Sequence, residues 1–167
     1  MSSESLFGQS LGVAEAVAWR ERLRAEHRTV VFTNGCFDVL HAGHVEYLAW
    51  ARAQGDALVV GLNEDESVRR LKGEARPIVP FAQRARVLLG LRSVDVVVGF
   101  AERTPERLLD CIRPDVHVKS DQYREDELPE RTVVLRHGGR IALAPHVAGA
   151  STTDTIARIL NAYSGHG

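Results

Sequence analysis

The chain has 167 residues, 44% of them hydrophobic, with 21 Lys and Arg against 22 Asp and Glu and a formal net charge of -1. A chain of this length buries roughly 70% of its unfolded surface and needs no disulfide, metal or partner to close a core. Its two cysteines are too few for a disulfide framework or a zinc cage. Balanced charge supplies no field to gather nucleic acid or an anionic membrane, so the expected partner is a small molecule. No long apolar run is present, and neither a signal peptide nor a membrane span is expected; the expected location is cytoplasmic.

Taken in chain order, Leu11, Ala14, Val17, Ala18 and Leu23 recur at helical spacing and predict an amphipathic lead-in helix within residues 1–28. Thr29 to Asn34 reads as a buried strand ended by Gly35. Residues 43–54 then read as a helix closed by Gly55. Ala57 to Leu62 is a second expected strand. Two helical patterns follow, at 64–71 and 81–91, separated by a loop with Lys72, Gly73, Arg76, Pro77 and Pro80. Val94 to Phe100 is a third strand, and Thr104-Pro105-Glu106 signals a helix with Thr as its cap, running to Ile112. Val116 to Lys119 and Arg140 to Ala144 are the fourth and fifth strands. A last helix, capped by Ser151 or Thr152, covers 154–162.

Strands alternating with helices predict one domain: a Rossmann-like, doubly wound, parallel five-stranded sheet with helices on both faces. The domain proper spans 29–163, preceded by the lead-in helix and followed by a short tail, 164–167. In such sheets ligands bind beyond the carboxyl ends of the strands. Just after the first strand lies His41-Ala42-Gly43-His44, where a helix begins. A spacing of three places both rings on one face of the first turn, with free amides pointing the same way, and so builds an anion site. The competing readings of the pair are capping histidines and metal ligands, though only Asp38 stands near at metal spacing. Ser151-Thr152-Thr153, opening the last helix, offers hydroxyls and amides to phosphates in the same way, alongside a plain capping role.

The strings TNGCFDVLHAGH, GLNEDESVRRLKG followed by RPIVPFAQR, and GASTTDTI stand in this order in the chain. They resemble the HxGH nucleotidyltransferases of the cytidylyltransferase-like group. Within it the chain most resembles the adenylyltransferase domain that activates D-glycero-β-D-manno-heptose 1-phosphate. The resemblance covers residues from about 28 to 160 and implies transfer of a nucleoside monophosphate, AMP from ATP, to a sugar 1-phosphate with release of pyrophosphate. It also implies Mg²⁺ brought with the nucleotide. Relatives are commonly dimers, which makes a homodimer one expected assembly.

Carried onto this chain, the resemblance makes His41, His44, Lys72 and Arg84 catalytic. Thr33, Asn34, Gly35, Cys36, Phe37, Asp38, Gly43, Arg92, Lys119, Ser151, Thr152 and Thr153 become nucleotide-binding. Asp38, Lys72, Ser120, Asp121 and Gln122 are placed at the acceptor, with Asp38 as the candidate Mg²⁺ ligand or, alternatively, a residue that fixes its loop. These types suit the chemistry, because a phosphate with a second pKa of about 6 is already a nucleophile at neutral pH. The protein need only position two anions and stabilise charge. The helix N-terminus disfavours a free imidazolium and bound phosphate favours one, which couples histidine protonation to nucleotide binding.

Ser120-Asp121-Gln122 departs from the Gly-Gly-Asp usual in the heptose enzymes and puts the acceptor in question. The alternative is a cytidylyltransferase acting on a small phosphorylated alcohol or a phosphonate; from another class, a non-catalytic nucleotide sensor.

Overall fold

The computed structural model describes residues 8–147 and 151–164. Residues 165–167 of the expected tail, and Gly149 and Ala150 of the GASTTDTI string, lie outside the described residues. Six strands form one parallel sheet: β1 Gln9–Ser10, β2 Val30–Gly35, β3 Ala57–Asn63, β4 Val96–Phe100, β5 Val116–Ser120 and β6 Arg140–Ala144, in the order β1-β4-β3-β2-β5-β6. The sheet thus has one strand more than the five expected. The addition, β1, is two exposed polar residues without an apolar signal, held at the edge by Gln9 N–H to Asp95 O (2.8 Å) and Leu11 N–H to Val97 O (3.0 Å).

The β-branched runs form the central strands because they are covered on both faces. Val31, Leu58, Val60, Val97 and Val118 point to one face, under α2 (Ala42–Arg52) and α4 (Phe81–Leu89). Val30, Phe32, Val59, Val96 and Val98 point to the other, under α1 (Val13–Ala25), α5 (Glu106–Ile112) and α6 (Arg131–Arg136). The lead-in helix α1 therefore shares the core through Ala16 and Leu23. Helix α6 has no counterpart in the sequence pattern, since six residues carry too little periodicity to register. Helix α5 begins at Glu106; the Thr104 hydroxyl donates to Glu106 Oε2 rather than capping the helix. Helix α3 (Asp65–Lys72) and helix α7 (Thr152–Tyr163, capped by Ser151) complete the α-helices among the described residues, and one 3-10 turn covers Glu125–Glu127. No helix among the described residues is long and apolar enough to cross a membrane.

The chain runs from β2 outward through β3 to β4, then returns to add β5 and β6 on the other side of β2. The order reverses at β2, and the crevice beyond its carboxyl end is the switch point at which doubly wound sheets bind ligands.

Candidate active site

Beyond Gly35 the chain makes a tight loop in which Phe37 (φ 45°) and Val39 (φ 54°) both adopt left-handed backbone. Such conformations are unfavourable for residues with a side chain, β-branched Val above all, and persist only where surroundings enforce them. Asp38, between the two, supplies the enforcement. Its buried carboxylate accepts hydrogen bonds from Arg76 Nε (2.5 Å), Ile78 N–H (2.8 Å) and Val79 N–H (2.9 Å). Burial alone would raise its pKa, but the two amides and the Arg76 guanidinium outweigh burial and hold the carboxyl below its usual value. The Asp38 carbonyl also accepts from Thr152 Oγ1 (3.0 Å), which ties the start of α7 to the same loop.

A second interior cation braces the loop from behind. The buried Arg84 guanidinium donates to Cys36 O (2.6 Å), Asn63 O (2.9 Å), Val79 O (2.8 Å) and Asp65 Oδ1 (2.6 Å). Its planar fork thereby connects the ends of β2 and β3 to α3 and to the loop before α4.

Helix α2 starts at the strained loop, with His41 at its N-cap. The His41 and His44 rings stack with centroids 3.8 Å apart and planes 23° from parallel. His44 Nδ1 accepts the His41 backbone N–H at 3.3 Å, so a neutral His44 carries its proton on Nε2. Burial, and secondarily the neighbouring His41, push the His44 pKa down to about 4, which leaves the ring a neutral donor at pH 7.

Two cavities open at this end of the sheet, of about 730 Å³ and about 620 Å³. His44, Lys72, Lys119 and Thr152 line both and mark the seam where the cavities meet. The smaller cavity continues past His41, Tyr47, Ser120, His146 and Ser151; the larger continues past Arg76, Arg103, Arg124 and Glu130.

A family model described as Cytidylyltransferase-like matches residues 32–158. The chain belongs to the cytidylyltransferase-like family of nucleotidyltransferases. It is 50% identical over 149 residues to the bifunctional protein HldE of Azotobacter vinelandii, an alignment covering 89% of this chain and 31% of that protein. It is 52% identical over 136 residues to the bifunctional protein HldE of Halorhodospira halophila, covering 81% of this chain and 28% of the relative. The chain thus spans about a third of the length of these curated relatives. Among solved structures, the lipopolysaccharide core biosynthesis protein of Thermoplasma volcanium superposes with a TM-score of 0.59 at 25% identity, over 72% of this chain and 97% of that one. Pantoate-beta-alanine ligase of Francisella tularensis shares the fold, with a TM-score of 0.57 at 12% identity over 96% of this chain and 80% of the other.

In this cytidylyltransferase-like chain most of the residues singled out from sequence converge. Asn34, Gly35, Cys36, Phe37, Asp38, His41, Gly43, His44, Lys72, Lys119, Ser120, Gln122, Ser151, Thr152 and Thr153 line one or both cavities. Four do not. Thr33 is buried, its hydroxyl placed between Tyr47 Oη (2.7 Å) and Val118 O (3.0 Å). Arg92 is exposed beyond the end of α4, and Asp121 is exposed, its N–H donating to Ala144 O. Arg84, expected at the phosphates, has its donors committed behind the cavity wall as described above.

Asp38 also departs from one expectation. With both oxygens engaged by three donors it has the partners of a residue that fixes its loop, and it offers no free oxygen to a metal. Among the described residues no group of three or more His, Cys, Asp or Glu side chains is arranged to hold a metal ion. Burial raises the Cys36 thiol above its ordinary pKa, as befits a wall residue rather than a nucleophile. Arg76, Arg103, Tyr123 and Glu130 are wall residues that the sequence did not announce. For Arg76 the neighbouring Pro77 and Pro80 were the available signal; for Glu130 there was none.

Proposed function

We propose that this chain transfers AMP from ATP to a sugar 1-phosphate, D-glycero-β-D-manno-heptose 1-phosphate, and releases pyrophosphate. The observation that carries the reading is the pair of cavities joined at His44, since nucleotidyl transfer needs two anionic substrates side by side with donors at their junction. The smaller cavity, with the α2 and α7 N-termini, takes the nucleotide. Helix N-termini present unsatisfied amides and favour phosphate, and Ser151, Thr152 and Thr153 add hydroxyls. The larger cavity takes the acceptor.

In this reading the acceptor phosphate attacks the α-phosphorus in line with the departing pyrophosphate. His44 Nε2–H donates to an α-phosphate oxygen as charge builds there, and Lys72 offsets the repulsion between the two anions. No side chain is needed as a strong base. Bound with the nucleotide, Mg²⁺ would supply further positive charge to the triphosphate. Identity near 50% with the HldE proteins supports the heptose acceptor, while Gln122 in the wall of the larger cavity supports the second reading, a smaller acceptor used with CTP.

One experiment separates the two readings. ATP, CTP, GTP and UTP are each paired with heptose 1-phosphate, glycerol 3-phosphate, phosphoethanolamine and a simple phosphonate, and pyrophosphate is followed. Release confined to ATP with the heptose supports the first reading. Release with CTP and a small acceptor replaces it with the second, and release with none refutes both.

A further inference from the structure

The far wall of the larger cavity includes Glu130, immediately before α6 and only 3% exposed. Its Oε1 accepts from Lys119 Nζ at 3.1 Å, whereas its Oε2 is shielded from solvent and accepts no hydrogen bond from any described residue. Lys119 reaches it from the end of β5, passing 3.5 Å from Asn34 Oδ1 and 5.1 Å from the centre of the Tyr123 ring. The lysine thus fixes the carboxylate in place and counters its charge, and one acceptor oxygen is left over. A buried carboxylate oxygen without a donor is costly, and a ligand donor recovers that cost. The same cavity carries the cationic side chains of Lys72, Arg76 and Arg103.

A ligand matched to this wall has an anionic group for the cations and a neutral hydrogen-bond donor for Glu130. An ammonium group gains little there, because Lys119 already balances the charge. Resting on the sugar 1-phosphate reading above, we infer that Glu130, positioned by Lys119, determines acceptor specificity by accepting a hydrogen bond from a sugar hydroxyl through Oε2, which turns from its shielded position to the cavity as the sugar binds. The acceptor is then a polyhydroxylated phosphate, selected by a hydroxyl remote from the reacting phosphorus.

The test uses the full chain with ATP and heptose 1-phosphate, together with analogues each lacking one hydroxyl, in wild type and in Glu130→Gln. In wild type one deoxy analogue should lose at least about tenfold in kcat/KM, the scale of a hydrogen bond to a charged group. Glu130→Gln should raise the KM for the full sugar about tenfold and erase its preference over that analogue. The KM for ATP should stay within about twofold, a split that a merely structural role would not produce. Equal turnover of all the deoxy analogues by wild type overturns the inference even if the variant fails to fold. So does an equal loss toward ATP and sugar in Glu130→Gln, or a preference for phosphoethanolamine that depends on Glu130. Wild type that ignores every sugar phosphate refutes the sugar reading itself, on data the variant does not enter.

Discussion

Replacing Asp38 by Asn tests whether this carboxylate fixes the active-site loop or holds a metal. The substitution keeps the shape and one oxygen but removes the charge and turns the other oxygen into a donor. In the native loop Oδ2 accepts from Arg76 Nε and Ile78 N–H, and Oδ1 accepts from Val79 N–H. The amide can satisfy only one of these sides, and its least costly placement turns the NH₂ group toward Val79. That leaves one buried backbone donor facing another, at about 1–3 kcal/mol, and weakens the charge-assisted bond to Arg76 by a similar amount. About 3 kcal/mol in total is expected, at the low end for breaking a buried ion pair because Arg76 keeps a neutral acceptor. In a domain of this size that lowers Tm by about 9 °C. The effect should be measured by urea denaturation at pH 7, where wild-type Asp38 is charged. Its depressed pKa makes the contribution complete above the ordinary carboxylate range, to be lost only as the pH falls through the lower folded value. The Mg²⁺ concentration needed for half-maximal activity should not move. Unchanged stability with a large rise in that concentration would refute the assignment and restore Asp38 as a metal ligand.

Three further outcomes are expected. His44→Ala should lower kcat by about 10² or more with the unfolding transition intact, as for loss of one transition-state donor; turnover within a few-fold of wild type would remove His44 from the chemistry. Arg84→Ala should cost about 3–5 kcal/mol and Arg84→Lys should recover little of it, because a point charge cannot reach four acceptors; a loss of kcat at unchanged stability would put Arg84 on the substrate instead. Burial drives the pKa of His117 down to about 3, with Lys119 adding to the shift, and that of His44 to about 4. The unfolded chain therefore takes up protons that the folded chain refuses. Stability should be full above about pH 6.5 and decline as the pH falls toward those values. His117→Leu should flatten that decline in denaturation measured across pH 3–7, and an unaltered slope would exclude His117 as a contributor.

What could be read from the sequence follows from the range of the forces involved. The central strands and their helices were legible because burial on both faces demands β-branched runs such as Val96–Phe100, and helices must alternate with them. The His41–His44 pair was legible because an N-cap residue and the residue three further on meet across the first turn of a helix. Asp38 and Arg84 were visible as residues but their roles were not. Each owes its place to partners such as Val79 and Asn63, which only the folded topology delivers. Glu130 escaped notice for the same reason, since its partner Lys119 sits on β5 and α6 is too short to announce itself.

The hydrogen bond from Thr152 to the Asp38 carbonyl joins residues 114 positions apart. As the chain is synthesised, all six strands are complete before the Ser151 to Thr153 wall has emerged, so the end of the site that the proposed reading gives to phosphate is among the last features to form. A triphosphate that touches both His44 and Thr152 then acts as a fastener across the two ends of the fold. Any such ligand shifts the balance toward the docked helix by RT ln(1 + [L]/Kd), and nucleotide should protect α7 from proteolysis as well as occupy the site.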